Sequence, residues 1–427
     1  MRVGICSLGC KVNIYESEYV EDLLKKASYE IVSFEDMADI YIINTCSVTN
    51  EADKKSRKMI NQARRRNSDA LIVVMGCYSQ IKAEDIDADI VIGNKDKSKI
   101  VIYIEEFLKN KNSIKKIYNL LEEVEFENMF IDNFVNHTRA FVKIQDGCNA
   151  FCSYCIIPYT RGRVRSKPYL DVINEVTSLV NNGYREIVLT GIHTGRYGID
   201  LEDMNLEKLL RKLVTIPGLY RIRLSSIEIN EITDGIMDLI KNSSVIARHF
   251  HIPLQSGSDK ILKSMNRKYD LEYFKNKIKE IRELDKDISI TTDLIVGFPG
   301  ETEEDFLEVI NTLEEIKFSK IHTFPYSIRE GTPASKMSNQ VDGIIKKTRV
   351  RKVLDISNTY EKKYYESYIG QELEGLVEVH KDNSVIVLTS NYISVIVEDK
   401  LESNQIVKVR INRVDDNLHV YGEVVID

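Results

Sequence analysis

The sequence predicts an α/β protein in three parts. An amino-terminal open parallel α/β domain covers residues 1–112, a central partial (β/α)6 barrel covers 134–365 after a linker at 113–133, and a small carboxy-terminal antiparallel β-barrel covers 366–427. Three observations lead there. Short apolar runs alternate with helix-length stretches through the first domain, the rhythm of βαβ units and a parallel sheet. The rhythm restarts near Thr138 and repeats six times, which suits a curved, partly closed barrel better than an eight-unit one. Beyond Gly370 the period falls to two, the mark of half-buried strands.

In chain order, the first domain has strands at Val3–Ser7, Ile40–Asn44, Leu71–Met75 and Ile90–Gly93, with helices over Ile14–Ala27 and Glu51–Arg66 and Asn50 placed to cap the second. Lys109–Asn133 is charged, rich in asparagine and without period, so it reads as the linker. Barrel strands follow at Ala140–Ile144, Glu186–Thr190, Arg221–Ser225, His249–Pro253, Ile290–Val296 and Ile321–Phe324. The last helix takes Asp342–Glu366. Five strands at Glu374–Val379, Ser384–Thr389, Ile393–Val397, Ile406–Ile411 and His419–Val425, with turns at Lys381-Asp382-Asn383 and Asp415-Asp416-Asn417, complete the chain.

At 427 residues, 43% hydrophobic and 29% charged, the composition excludes disordered and fibrous classes. No apolar run reaches the roughly 18 residues a bilayer span needs, and Met1–Leu8 lacks a signal peptide's apolar stretch. A cytoplasmic protein with no membrane partner is expected, as a monomer. Seven cysteines in that compartment do not read as a disulfide framework, so each is weighed for metal binding or catalysis. The net charge of −7 neither demands nor excludes a nucleic-acid partner.

Cys148, Cys152 and Cys155 lie on the loop leaving the first barrel strand, where such folds place active sites. Three thiolates within eight residues can bind three irons of a [4Fe–4S] cluster and leave the fourth open. The alternative is a zinc knuckle, but zinc wants four ligands and no fourth Cys or His stands close in sequence. Cys10, Cys46 and Cys77 each stand two or three residues past a strand of the first domain. In an open parallel sheet those ends face one crevice, so the three converge. A lone cysteine there would more often be a small buried hydrophobe; three in phase reverse that reading. Cys6, inside the first strand, reads as core.

The Cys148-x-x-x-Cys152-x-x-Cys155 motif, with Phe151 and Tyr154 in the aromatic places, resembles the radical S-adenosylmethionine superfamily. That resemblance implies that S-adenosylmethionine chelates the open iron and is cleaved, by one electron from the cluster, to methionine and a 5′-deoxyadenosyl radical. Ser7-Leu-Gly-Cys-Lys-Val-Asn13, Asn44-Thr-Cys-Ser-Val-Thr-Asn50, Gly76-Cys-Tyr78 and Gly162-Arg-Val-Arg-Ser166 together resemble the methylthiotransferases over nearly the whole chain. The resemblance implies a second [4Fe–4S] cluster on Cys10, Cys46 and Cys77, S-adenosylmethionine as methyl donor and radical source, and a TRAM-like, OB-like last domain. Lys11 and Val12 make it most similar to the enzymes acting on N6-threonylcarbamoyladenosine next to the anticodon of tRNA. An electron-donor protein and a sulfur donor are implied as partners. Two rivals remain at this point: a family member acting on isopentenyladenosine tRNA or on a ribosomal protein side chain, and a zinc-stabilised RNA-binding protein without catalysis.

Around the barrel mouth, Gly191 and His193 end the second strand, Ser225 and Glu228 the third, Gln255 the fourth and Gly297 the fifth; all are candidates to bind the cofactor. The duller readings are a tight turn at Gly297-Phe-Pro-Gly300 and a core histidine at His251. Basic runs at Lys54, Lys55 and Arg57, with Arg64–Arg66 behind them, and at Arg161, Arg163, Arg165 and Lys167 adjoin the cysteine loops. Lys54, Lys55, Arg57, Arg163 and Arg165 are the candidates to hold tRNA, against the usual reading of such runs as solvated faces. The last domain carries 5 basic against 12 acidic residues, so its contact with RNA would fall to Lys408, Arg410, Arg413 and stacking by Tyr392.

Overall fold

In the computed structural model, which describes residues 1–134, 137–381 and 384–425, the first domain is a six-stranded parallel sheet. Its strands are β1 (Arg2–Ser7), β2 (Glu30–Val32), β3 (Ile40–Thr45), β4 (Leu71–Gly76), β5 (Ile90–Ile92) and β6 (Ile114–Lys116), in the order β2-β1-β3-β4-β5-β6. Strands β3 and β4 are buried at every position, as a parallel sheet covered on both faces requires. Strands are added first on one side of β1 (β2) and then on the other (β3 to β6), and this switch point between β1 and β3 opens a crevice at their carboxyl ends. Helices Lys11–Lys26 and Asn50–Arg66 leave from that edge. Thr49, not Asn50, caps the second: its hydroxyl accepts from Ala52 N, and Asn50 is already helical.

Two elements of this domain carry no sequence signal. β2 has three residues, too short to show a period. β6 lies inside the stretch that reads as a linker, and Met129 and Ile131 of that stretch are buried in the core of the central barrel. Its apolar residues stand singly among charges, so the segment looks like a tether although it packs.

The central unit has the six parallel strands expected: β7 (Ala140–Asp146), β9 (Glu186–Gly191), β10 (Arg221–Leu224), β11 (His249–His251), β12 (Ser289–Val296) and β13 (Lys320–Pro325), while β8 (Arg165–Ser166) pairs antiparallel to β7. Main-chain bonds from Ile222 N to Val245 O and from Ala247 N to Ile222 O join the two parts of the barrel between β10 and β11. The barrel stays open, and helix Lys11–Lys26 packs on β7 and β9. Helix Gly343–Glu366, capped by Asp342, crosses β13.

The last unit is a closed five-stranded barrel of β14 (Glu372–Lys381), β15 (Ser384–Thr389), β16 (Ser394–Val397), β17 (Ile406–Val414) and β18 (Val420–Val424). It is not wholly antiparallel, because β16 and β18 pair in parallel to close it. The turn expected at Lys381-Asp382-Asn383 falls partly outside the described residues. This barrel docks on the central one through Arg221 and Arg223, which donate to Leu388 O, Ser390 O and Thr389 O. Tyr392 stacks on His249 with ring centroids 4.4 Å apart and lies under the Arg223 guanidinium. Its face is thus committed within the protein rather than offered to RNA. Arg410 pairs with Glu372 and Glu423, and Arg413 covers Tyr421, so both are engaged.

Arg161 ties the first domain to the second. It is fully buried, and its guanidinium donates to Glu16 Oε1 (2.8 Å), Asn13 Oδ1 (2.7 Å) and both Asp146 oxygens (3.2 Å). Burial alone would raise the Glu16 carboxyl, but Arg161, Lys143 and Lys97 hold it well below the usual carboxylate range. Removing the arginine takes one buried cation from each of two buried carboxylates, leaving Glu16 to Lys97 and Lys143 and Asp146 to Lys143 and Arg165. Arg161→Ala is expected to cost about 3–5 kcal/mol, read as a lower denaturant midpoint of the full chain; a shift under about 1 kcal/mol would show that water replaces the guanidinium without penalty.

Candidate active site

The first-domain cysteines meet at the crevice edge. Glycine is required at position 9, where φ is +98° and an added Cβ would lie 2.7 Å from Cys46 Cβ, so the loops of Cys10 and Cys46 touch. Asn13 Nδ2 donates to Leu8 O (2.6 Å) and Thr45 O (3.0 Å), and Asn44 Nδ2 donates to Asn13 O (3.0 Å). The two asparagines of the cysteine motifs therefore stitch those loops together. Cys77 Sγ accepts from Asn94 Nδ2 (3.4 Å) and from Arg161 Nε (3.3 Å). Burial, then the neighbouring Cys77 and Cys10, push the Cys46 thiol up to about 12. All three thiols thus lie within one another's field.

Cys148, Cys152 and Cys155 sit on the loop after β7. The loop turns through Phe151 at φ +47°, and Cys155 N donates to Cys152 O at 3.0 Å. His193 Nδ1 stands 3.2 Å from Cys148 Sγ, with its other nitrogen 2.9 Å from Glu231 Oε1. Despite its burial, those two partners raise the His193 pKa to about 10. Arg267 Nη1 donates to Cys152 Sγ at 3.4 Å, and the same guanidinium pairs with Glu228. A cavity of about 340 Å³ opens here, with Cys152, His193, Glu228, Glu231 and Arg267 among its walls. A second, of about 200 Å³, lies between the domains, with Thr49 from the first domain and Cys155, Gln255, Asp293 and Phe324 from the second. The domains are clamped beside it by Arg329, which donates to Ser47 Oγ and Asp53 Oδ2, each at 2.8 Å.

Of the cofactor candidates, His193 and Glu228 line the first cavity and Gln255 the second. Ser225 Oγ is buried without a hydrogen-bond partner, as a group awaiting a ligand would be. Gly191 packs within 3.0–3.2 Å of the Gln145 side chain at the end of β9. Gly297 lines neither cavity: its N–H donates to Glu301 Oε1 at 2.8 Å, and the Lys346 side chain covers it, so it closes a turn. Of the RNA candidates, Lys54, Lys55, Arg57 and Arg163 are exposed. Arg165 is buried, donating to Arg161 O and Arg163 O beside Asp146, and is withdrawn as an RNA contact. Arg161 and Lys167 of the same run are also buried, Arg161 against Glu16 and Asp146 and Lys167 against Glu175. Sequence reasoning misses Arg267 and Glu231. A charged residue on a loop carries no sequence signal that separates it from a solvated one.

Among the described residues no three His, Cys, Asp or Glu side chains close around a single point. No helix is long and apolar enough to cross a membrane among the described residues.

A family model described as the Radical SAM superfamily matches residues 142–313, and one described as uncharacterized protein family UPF0004 matches residues 2–94. The fold is that of the radical S-adenosylmethionine methyltransferase TsrM from Kitasatospora setae, with TM-score 0.58 at 14% identity over 78% of this chain and 73% of that one. Barrel and cysteine loop together define a radical S-adenosylmethionine enzyme, a class that implies S-adenosylmethionine and a [4Fe–4S] cluster. Threonylcarbamoyladenosine tRNA methylthiotransferase MtaB of Bacillus subtilis (strain 168) is 44% identical over 96% of this chain and 93% of its own length. The protein of the same name from Aquifex aeolicus (strain VF5) is 40% identical over 96% and 100%. The tRNA-2-methylthio-N(6)-dimethylallyladenosine synthase of Alkaliphilus oremlandii (strain OhILAs) is 36% identical over 88% and 81%. The chain belongs to the radical S-adenosylmethionine methylthiotransferase family.

Proposed function

We propose that the protein adds a methylthio group to C2 of N6-threonylcarbamoyladenosine next to the anticodon of tRNA, using two [4Fe–4S] clusters. The observation that carries this reading is the juxtaposition of two three-cysteine loops across one domain boundary, with Arg161 reaching from the first turn after Cys155 to Cys77. Cys148, Cys152 and Cys155 would hold the cluster that works with S-adenosylmethionine, and Cys10, Cys46 and Cys77 the second. When bound, these groups supply the one-electron chemistry and the sulfur that an unactivated C2–H bond requires, which acid–base groups alone do not provide.

The chain's own residues bind and orient. His193 and Arg267 fix the Cys148 and Cys152 side chains, Glu228 offers the cofactor a carboxylate in the first cavity, and the buried Ser225 hydroxyl stands without a hydrogen-bond partner. Gln255, Asp293 and Phe324 wall the gap between the domains, where a base taken out of the tRNA stack would lie sheltered from water. The higher identity to the threonylcarbamoyladenosine enzymes favours that base over the dimethylallyl one and over a protein target.

Nucleoside mass spectrometry of tRNA from a deletion strain tests the reading: the methylthio form of threonylcarbamoyladenosine is expected to vanish while threonylcarbamoyladenosine itself accumulates. Unchanged tRNA, with a mass change in a ribosomal protein, would move the target to protein. For the RNA surface, Arg163 lies over the Phe151 ring and Lys55 is exposed on the helix after Cys46. Changing both to Gln is expected to weaken tRNA binding and lower the log–log salt slope by about one for each phosphate left without its cation. An unchanged slope would return both to solvated faces.

A further inference from the structure

A cavity of about 360 Å³ lies at the opposite end of the barrel strands from the cysteine loop. Ser289, which opens β12, and Ser319, just ahead of β13, are on its wall, whereas the interdomain cavity takes Asp293 of β12 and Phe324 of β13. At roughly 3.3 Å per residue, the two cavities stand about 15 Å apart along these strands. Four wall residues are cations, Arg282, Lys286, Lys317 and Lys363, and none is an acid. The chain as a whole is acidic, with 59 basic against 66 acidic residues, so composition alone does not supply this grouping.

These charges are not neutralised within the protein. Arg282 donates to two carbonyls, Ile316 O (2.6 Å) and Lys317 O (3.0 Å), and burial, with no carboxylate opposing it, lowers its pKa. Lys286, Lys317 and Lys363 have no ion pair among the described residues; Lys363 lies over the Tyr360 ring, 5.8 Å from its centroid. Nearby carboxylates are engaged elsewhere: Asp285 with Arg248, Asp287 with the Tyr368 hydroxyl and Glu315 with Lys275. Glu283 and Glu314, the latter within reach of Tyr360, are exposed. Ser289 supplies an independent observation. It is 2% exposed, it stands on the cavity wall, and its hydroxyl has no hydrogen-bond partner. The Tyr364 phenol, close enough to feel it, donates instead to Asn391 O at 3.2 Å. A buried hydroxyl left without a partner points to a missing ligand.

We propose that this cavity binds a small phosphorylated molecule, with Arg282 and the three lysines facing its phosphates and the Ser289 hydroxyl donating to a phosphate oxygen. The site goes beyond the function proposed above, since no residue of either cysteine loop takes part in it. Lysine ammoniums are flexible point charges suited to phosphate. Tyr360 and Tyr364 bring ring surface to the same wall for the organic part, which fits a nucleoside diphosphate. The volume is that of a small-molecule site. A tRNA also carries phosphate, but its anticodon belongs at the interdomain cavity, at the far end of the same strands. Segments 282–290, 317–319 and 360–364 close the space on three sides, a shape that takes a compact anion rather than a nucleic-acid backbone.

The test is isothermal titration of the anaerobically reconstituted protein, saturated with S-adenosylmethionine, with ADP, sodium pyrophosphate and adenosine. ADP and pyrophosphate are expected to bind at one site per chain and to compete with each other, while adenosine does not bind. Lys286→Gln combined with Lys317→Gln, both at exposed positions, is expected to weaken both anions at least tenfold, with iron content and unfolding midpoint like the wild type. Lys109→Gln combined with Lys111→Gln, exposed on the first domain, removes the same charge elsewhere and should leave both affinities unchanged. Ser289→Ala is expected to weaken pyrophosphate by roughly threefold or more, and an unchanged affinity there overturns the part given to the hydroxyl. No binding by the wild type overturns the proposal. So do anion affinities that the pocket variant leaves unchanged, or that the first-domain variant lowers equally. The salt slope of tRNA binding is measured for the same pocket variant and is expected to match the wild type. A lower slope would show that the cavity holds backbone phosphates and overturns the small-molecule assignment.

Discussion

Alanine at Cys148, Cys152 or Cys155 is expected to reduce cleavage of S-adenosylmethionine to background, a complete loss rather than a graded one. Three thiolates would hold three irons of the cluster and leave the fourth open to S-adenosylmethionine, and two thiolates would not hold it. The surroundings offer no substitute ligand at Cys152, whose neighbour Arg267 is a cation, or at Cys155, whose thiol is buried and pushed up to about 12 by that burial and by Cys152. Cys148 has His193 at 3.2 Å, so Cys148→Ala is the variant in which an imidazole could recover part of the iron. His193→Ala combined with Cys148→Ala checks this. In each variant the amino-terminal centre should keep its iron signal, since its ligands lie on other loops. 5′-Deoxyadenosine formation at the wild-type rate in Cys152→Ala or Cys155→Ala would overturn the assignment.

What is legible in the sequence divides along physical lines. All six parallel barrel strands and both cysteine sets can be read there, because hydrophobic period and strand-end position are local properties. The N-cap differs by one residue, Thr49 in place of Asn50; both are good caps, and only the backbone decides which side chain faces the first free N–H. The segment 113–133 hides its packing because Ile114, Met129 and Ile131 stand singly among charges, and their burial depends on partners far along the chain. The basic runs are ambiguous for a related reason. Arg161 and Arg165 look in sequence like Arg163, yet only the last is exposed, and what separates them is the presence of Glu16 and Asp146 across the domain boundary. Tyr392 likewise finds its stacking partner within the chain, at His249. Charged and aromatic residues announce that they need a partner without saying whether it is internal.

Replacing Cys10, Cys46 and Cys77 together by Ala is expected to separate two activities. Cleavage of S-adenosylmethionine to 5′-deoxyadenosine should continue, because it needs only the other three cysteines, while methylthio nucleoside should fall below detection. Iron content should drop by about the share of one cluster of two. The fold is expected to tolerate the change: the strands ahead of these cysteines keep their buried cores, and Asn13 and Asn44 still join the loops through main-chain carbonyls. Arg161 keeps Glu16 and Asp146 when it loses Cys77, so the domain clamp survives. Cys6→Ala is the matched control. Cys6 lies within β1 and packs among apolar neighbours on one face of the sheet, so its loss should leave both iron content and product near wild type. Assayed anaerobically on tRNA carrying threonylcarbamoyladenosine, with both products measured, the triple variant decides the role of the amino-terminal centre. Methylthio nucleoside from that variant would mean that sulfur is transferred elsewhere. Loss of cleavage as well, with a native unfolding midpoint, would mean that the first centre supports the radical step, because Arg161 then carries more than structure from Cys77 to the loop of Cys155.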